Sequence, residues 1–297
     1  MLIYAISEND HCRRLDSFLS NILPAAPDSY LQKLVRSGHV KVNGVLSSKG
    51  ALLRISDTVT LKESSKTSAL LAREKPGLDI LYDDNLIIIF NKPAGLPVHR
   101  AAEVGDLNLV DLGTKFLEQR GTPGKLRPIN RLDRGTSGAV IMAKSAVAAA
   151  MFGKMIMADG LGKLYLAVVS PKLPEHGIIT APLDGKESET RYRLLFESTV
   201  GSLAAVYPVT GRMHQIRQHL RYIGHPIWGD KRYAGLSLPG FTGHALHSFR
   251  TALTHPATGE ELTICAPLSA EFLQLIRQLT GKAYSAVLQS LATLPEA

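Results

Sequence analysis

The ten residues Ile129 to Gly138, INRLDRGTSG, set one carboxylate, Asp133, between Arg131 and Arg134 and follow it with small turn-forming residues. Such residues support a tight loop in which hydroxyls and backbone amides can fix a carboxylate. Neighbouring cations favour the charged form of a carboxylate, the form that serves as nucleophile or base. The decamer alone leaves two readings open: a catalytic group, or a loop aspartate paired with Arg134 at the surface.

A second constellation is VTGRMHQIRQHLRYIGHPIWGDKR, Val209 to Arg232. A helix over Met213–Ile223 puts Ile216, Leu220 and Ile223 on a buried stripe and His214, Arg217 and Arg221 on one polar face, with Gly224 as its stop. Two arginines at i, i+4 repel unless something negative lies nearby. Phosphate and Asp133 are both candidates, and a solvated basic face is the plain alternative. Tyr165, in GKLYLAVV, lies on an expected strand with apolar neighbours. It reads either as a buried tyrosine with a hydroxyl partner or as a platform on which a base stacks.

The elements that must position these groups fall into two regions. In the first, RRLDSFLSNIL spaces Leu15, Phe18, Leu19 and Ile22 as a helix ended by Pro24. PDSYLQKLVRSG predicts a second helix, capped by Asp28 or Ser29, with Leu31, Leu34 and Val35 on one face and Gly38 as the stop. HVKVNGVLSS predicts a hairpin turning at Asn43-Gly44. A small basic domain over 1–61, a linker over 62–77 and a larger domain over 78–297 are expected. In the larger domain, DILYDDNLIIIFNKPAGLPVH predicts two strands around Asp83-Asp84-Asn85 and then a Gly/Pro loop. AVIMAK, SAVAAAMFGKMIMADG and KLYLAVV read as strand, helix and strand. Ser269–Leu279 reads as a helix, followed by a frayed tail. The fold class expected is α+β, a mixed sheet with helices on its faces.

The 297 residues are 45% hydrophobic and carry a net charge of +8. That supports a well-buried core and a polyanionic partner, nucleic acid first. Residues 1–76 hold eleven Lys/Arg against seven Asp/Glu, so about half the excess lies in the first quarter. Cys12 and Cys265 are far apart and in no metal-like spacing, which points to a reducing compartment, the cytoplasm. The segment MLIYAISENDHCRRLDSF acquires acids before any long apolar run, so no secretory signal is expected. Nor is any apolar run near the ~18 residues that cross a bilayer.

These residues resemble a known family. INRLDRGTSG is similar to the HRLDxxTSG segment of RluA-type pseudouridine synthases, GKLYLAVV to their Lys-x-Tyr motif and GRMHQIRQHL to their GRTHQIRVHL segment. NKPAGLPVH and LHSFRTALTHPATGEELTICAPL also match, in family order across roughly Leu78 to Leu279. RLDSFL and LQKLVRSGHVKVNG resemble the small RNA-binding domain first named from a small-subunit ribosomal protein.

The resemblance implies an enzyme that isomerises uridine to pseudouridine in structured RNA, ribosomal RNA first and transfer RNA second. It implies a mainly antiparallel catalytic sheet and no cofactor or metal; a monomer is the default expectation. Asp133 would be the essential group, attacking C1′ or removing the C2′ proton. Arg217 would hold it through a fork-shaped ion pair, Tyr165 would stack on the uracil, and Leu246 would form its apolar floor. Arg131 would fill the space left by the flipped nucleotide or bind its phosphates. Arg13, Arg14, Lys33, Arg36 and Lys41 would supply phosphate contacts in the small domain. Asn130 stands where the family has His, Met213 where it has Thr or Ser, and Tyr30 where an arginine is common.

The competing reading is an RNA-binding protein with the same fold and no activity. The joint presence of Asp133, Tyr165 and Arg217 speaks against it. A glycoside hydrolase needs two carboxylates about 5 to 9.5 Å apart, and only Asp133 sits in an organised motif. His214, His219, His244 and His247 lack carboxylate or cysteine companions at a recognised metal spacing. NKPA does not make a GTPase without a phosphate-binding G-x-x-x-x-G-K-[ST] loop.

Overall fold

A computed structural model describes residues 1–24, 26–71, 77–99, 107–122, 124–291 and 293–294. Residues 72–76 of the expected linker and the last three of the tail lie outside them.

The first region has its own core. Strand β1 (Leu2–Ala5), helices α1 (Leu15–Ile22) and α2 (Asp28–Arg36), and strands β2 (Val40–Val42) and β3 (Thr58–Leu61) build an antiparallel sheet in the order β1-β3-β2. Leu15, Leu19, Leu31, Val40, Val59 and Leu61 are buried between the sheet and the two helices. The turn at Asn43-Gly44 forms, with positive φ at both residues. The expected hairpin does not: beyond one bridge at Val42–Val45 the return leaves the sheet, and β2 pairs instead with β3. The returning segment is claimed by residues 12–14, where Leu53 N donates to Arg13 O and Cys12 N to Leu53 O, each at 2.8 Å.

The stretch expected as a linker contains helix α3 (Ser65–Leu71). Its Leu70 and Leu71 pack on the small core, and Lys66 lies 4.5 Å from the centroid of the Tyr30 ring. Tyr30 also hydrogen-bonds Thr67 at 3.1 Å. The tyrosine found where an arginine is common thus docks α3 rather than facing RNA.

The second region follows as β4 (Asp79–Asp83), β5 (Ile87–Lys92), α4 (Leu109–Gln119), β6 (Arg127–Pro128), β7 (Ser137–Ala143), α5 (Ala146–Asp159) and β8 (Gly162–Val169). Then come β9 (His176–Ile179), β10 (Thr190–Glu197), β11 (Ser202–Pro208), α6 (Gln215–Tyr222), β12 (Leu246–Thr254), β13 (Glu261–Cys265), α7 (Ala270–Thr280) and α8 (Tyr284–Leu291). The sheet runs β4-β5-β7-β12-β8-β11-β10-β9, with β13 on β12 and β6 on β7. The β7–β12 pair is parallel and the other strand pairs are antiparallel, so the class is α+β with a mainly antiparallel sheet.

Both faces of the central strands are covered, which explains their continuous apolar runs. Ile88, Phe90, Val140 and Met142 join the core on one face; Ile87, Ile89, Ala139 and Ile141 join the one under α5 on the other. Two helices go beyond the sequence reading. Helix α4 is capped by Asn108, whose side chain accepts from Asp111 N. Helix α8 occupies much of the tail expected to fray, because Tyr284, Val287, Leu288 and Leu291 are buried.

The two regions meet in a dense junction. Ser17 Oγ and Asn21 Nδ2 donate to Ile80 O at 2.6 and 2.9 Å, Arg120 donates to Ala26 O at 2.8 Å, and Cys12 belongs to the larger core.

Candidate active site

The Asp133 loop is built by the strands around it. Beyond β6, Ile129 N donates to Ile141 O at 2.8 Å, and then the Asn130 side chain continues the ladder. Its Oδ1 accepts from Ile141 N at 2.7 Å and its Nδ2 donates to Ala139 O at 3.2 Å. Asn130 therefore substitutes for a strand residue and frees the backbone to turn towards Asp133. Thr136 N closes that turn on Asp133 O at 3.1 Å, and Thr136 Oγ1 meets His244 Nε2 at 3.0 Å. Gly138, at φ +113°, lets β7 approach β12: a Cβ there would lie 2.3 Å from Ser248 O.

The NKPAG loop braces the same turn. Lys92, fully buried, donates to Pro93 O, Leu96 O and Arg134 O at 2.9, 2.8 and 3.2 Å. Arg134 Nε donates to Gly95 O at 3.0 Å. Burial pulls the Lys92 ammonium down to about 7, with the Asp133 charge acting the other way.

Arg217 comes from α6. Gln215 anchors the helix start: its Oε1 accepts from Thr210 Oγ1 and Arg212 N at 2.7 and 2.9 Å, while its Nε2 donates to Glu189 O at 2.8 Å. His214, at φ +55°, turns the chain into the helix. Arg217 Nη1 then donates to Asp133 Oδ2 at 2.8 Å. Its Nε and Nη2 go to Asp230 Oδ2 and Oδ1 at 2.7 and 2.9 Å, and its guanidinium lies 4.9 Å from the Tyr233 ring centroid. The forked contact expected for Asp133 is therefore made to Asp230, and Asp133 receives one prong.

Asp230 is 1% exposed. Burial alone would raise its carboxyl, but the hydrogen bonds and charge of Arg217 outweigh this and hold it below the usual carboxylate range. Asp133 is less enclosed, its side chain 27% exposed. His214 Nε2 stands 3.7 Å from Asp133 Oδ1, too far for a hydrogen bond, while His214 Nδ1 meets the Tyr233 hydroxyl at 2.9 Å. Burial lowers the His214 pKa, so the ring is neutral at pH 7.

Asp133 opens onto a cleft of about 430 Å³ whose wall includes Arg131, Lys163, Tyr165, Met213, Arg217 and Leu246. Burial pushes the Tyr165 hydroxyl up to about 12, with Ser248 opposing, so it stays a neutral phenol. Arg131 and Met213 are exposed on the rim, whereas Tyr165 and Leu246 are 7% and 3% exposed. The structure thus gathers Asp133, Arg131, Tyr165, Arg217 and Leu246 into one cleft. A neutral ring, an apolar side chain and a tethered carboxylate suit a flat polar base whose sugar faces the carboxylate.

The basic residues of the small region divide. Lys33, Arg36 and Lys41 are exposed, the first two on a shallow groove with Ser29 and Gln32. Arg13 and Arg14 correct the sequence reading, because both are buried and paired. Arg13 holds Asp79 at 2.6 and 3.0 Å and Asp10 at 2.8 Å, and Arg14 holds Asp16 at 2.7 and 3.0 Å. Neither presents a guanidinium to solvent. Arg221 is exposed on α6, whereas Arg217 is buried.

The remaining histidines have local partners. His219 bonds Ser188, Thr190 and Ala181 O, and His247 bonds Ser137 and Ala266 O. Among the described residues no group of three or more His, Cys, Asp or Glu is placed to hold a metal ion. No helix among them is long and apolar enough to cross a membrane. The sequence reading missed Asp230, Lys92 and Tyr233. Asp230 had a signal, being the only acid between Val209 and Arg232.

Comparison with known proteins places the chain in a family. The RNA pseudouridylate synthase family matches residues 86–222, and the S4 domain matches residues 13–59. The chain is 34% identical over 290 residues to an uncharacterized RNA pseudouridine synthase of Synechocystis, covering 89% of this chain and 88% of the relative. It is 30% identical over 315 residues to ribosomal large subunit pseudouridine synthase C of Escherichia coli K12, covering 93% and 96%. The solved structure of human RNA pseudouridylate synthase domain containing 4 shares the fold, with TM-score 0.57 and 24% identity over 67% of this chain and 92% of that one.

Proposed function

The chain belongs to the RNA pseudouridine synthase family, and from that premise we propose that it converts uridine to pseudouridine in large-subunit ribosomal RNA. The relatives named for that RNA support the substrate class. The target nucleotide flips into the cleft, its uracil lies on Tyr165 over Leu246, and Arg131 takes the vacated place in the RNA. Asp133 then attacks C1′ or removes the C2′ proton. The C1′–N1 bond breaks, the uracil rotates, and C5 joins C1′ as the Asp133–C1′ bond breaks or, in the second route, as the C2′ proton returns; the C5 proton leaves. No redox cofactor enters this balance. Lys33, Arg36 and Lys41 on the S4 domain add phosphate contacts, and the chain acts as a monomer in the cytoplasm.

The observation that carries this reading is the Arg217 guanidinium shared between sealed Asp230 and cleft-facing Asp133. Two prongs on a buried carboxylate fix the arginine, and the third orients Asp133 without covering its second oxygen. The test is a map of pseudouridines in RNA from cells with and without this chain. Loss of one or more sites in large-subunit ribosomal RNA is expected. Loss confined to transfer RNA would overturn the substrate, and an unchanged map of all cellular RNA would favour a binding protein without activity.

A further inference from the structure

Two residues before Tyr165 on β8, Lys163 lines the same cleft as Asp133 and Leu246. Residues i and i+2 of a strand point to one face about 7 Å apart. A lysine stem therefore reaches the edge of a ring lying on Tyr165.

The other buried cations around Asp133 are spoken for. Arg217 is shared by two carboxylates, and Lys92 is bound to three carbonyls. Lys163 differs: among the described residues it has no hydrogen-bond or ion-pair partner. Lys163 also lines a second depression with Asp159 and Glu261, but neither pairs with it. Burial lowers its pKa with no carboxylate pulling it back. A half-buried lysine without a counter-charge costs folding free energy, and a site that tolerates the cost keeps an uncommitted cation in the cleft.

The reaction generates one negative charge that no residue assigned so far meets. When C1′–N1 breaks, its electron pair stays on uracil N1 and spreads to O2 and O4. This holds whether Asp133 attacks C1′ or takes the C2′ proton, because the base leaves as an anion in both. The pair returns to carbon when C5 attacks C1′, and the C5 proton goes to solvent. We propose that Lys163 is a catalytic residue whose ammonium donates a hydrogen bond to a carbonyl oxygen of the departing uracil and stabilises its anion. The bond strengthens as charge develops, so it acts on the transition state more than on bound RNA. The inference rests on the reading of Asp133 and Tyr165 given above.

The test uses the full chain and cellular RNA labelled with tritium at uridine C5, taken from cells lacking the protein. Lys163→Met keeps the apolar stem and should lower kcat about 100-fold while changing KM by less than about threefold. Lys163→Arg keeps the charge and should recover most of that loss. RNA carrying 5-fluorouridine supplies a leaving base that holds negative charge better by itself. Consumption of the fluoronucleoside should therefore depend on Lys163 less, with the Lys163→Met defect shrinking to about tenfold or below.

An equal defect on both RNAs would overturn the proposal. So would a raised KM with unchanged kcat and a shallower salt dependence, which would make Lys163 a phosphate contact. A wild-type protein as inactive as Asp133→Asn would instead overturn the underlying reading. Full activity of the wild type with unimpaired Lys163→Met would overturn this inference alone.

Discussion

Two buried arginines, Arg217 in the cleft and Arg13 at the junction of the two regions, make nearly the same contact for different ends. Each divides its guanidinium between two aspartates: Asp230 and Asp133 for Arg217, Asp79 and Asp10 for Arg13. At the junction both carboxylates are braces, and Asp79 also accepts from Asn91 at 3.0 Å. In the cleft only Asp230 is a brace, while Asp133 keeps an oxygen facing open space. An ion pair is poised for chemistry when one carboxylate keeps an oxygen towards a cleft. It does structural work when both oxygens of each carboxylate are taken by protein donors, as Arg13, Asn91 and Ser7 take those of Asp79 and Asp10.

Conservative and deleting substitutions should separate the two. Arg217→Lys should lower turnover by about 10³-fold with little change in Tm, because a point charge cannot hold two carboxylates at fixed angles. C5 tritium release beside a melting curve measures this, and near-normal turnover would break the contrast. Arg13→Ala should do the reverse, lowering stability by about 2–4 kcal/mol while sparing kcat, since it leaves Asp79 and Asp10 without their cation. Denaturant unfolding reads it; a large loss of kcat at unchanged stability would mean that Arg13 serves RNA after all. The same junction sets the consequence of deleting residues 1–61. Ser17 bonds Ile80 O and Cys12 is buried in the larger core, so the truncated chain should lose stability as well as RNA affinity.

Smaller effects sharpen the picture. Replacing Lys33, Arg36 and Lys41 together by Gln should flatten the salt dependence of RNA binding by up to about two units of slope, with kcat unchanged. A filter-binding titration over ionic strength would show it, and Arg13 variants should leave that slope alone. A separate signal is acid sensitivity. Burial first, and nearby cations second, lower His244 to about 4; burial lowers His247 likewise. The unfolded chain, with histidines near 6.5, therefore binds more protons than the folded one between pH 6.5 and 4. Stability should be complete above about pH 6.5 and fall as pH drops towards 4, by up to about 1.4 kcal/mol per pH unit for each histidine. Unfolding curves between pH 4 and 7 that do not move would refute the buried neutral rings.

The sequence disclosed what lies within short windows. Asp133, Tyr165 and Arg217 each sit in a segment whose neighbours determine its conformation, and the structure brings all three to one cleft. What it concealed depends on pairings between distant residues. Arg13 looked like a phosphate ligand because it lies in a basic stretch, and its carboxylate Asp79 is 66 positions away. Strand β2 turned at Asn43-Gly44 as expected, but its ladder partner begins only at Thr58. Asn130, a departure from the family pattern, is explained by a side chain that mimics a strand backbone across eleven residues. Helix α4 was overlooked despite its local signal, an Asn108 cap three residues before Asp111.

The most direct test of the account is C5 tritium release by the full chain carrying Asp133→Asn, beside the wild type, on the same cellular RNA. The substitution keeps size and shape but cannot supply the charged oxygen that faces the cleft. The account predicts release by the wild type, none above background by the variant, and RNA binding and Tm within the usual range of a surface change. Release by Asp133→Asn at the wild-type rate would contradict it.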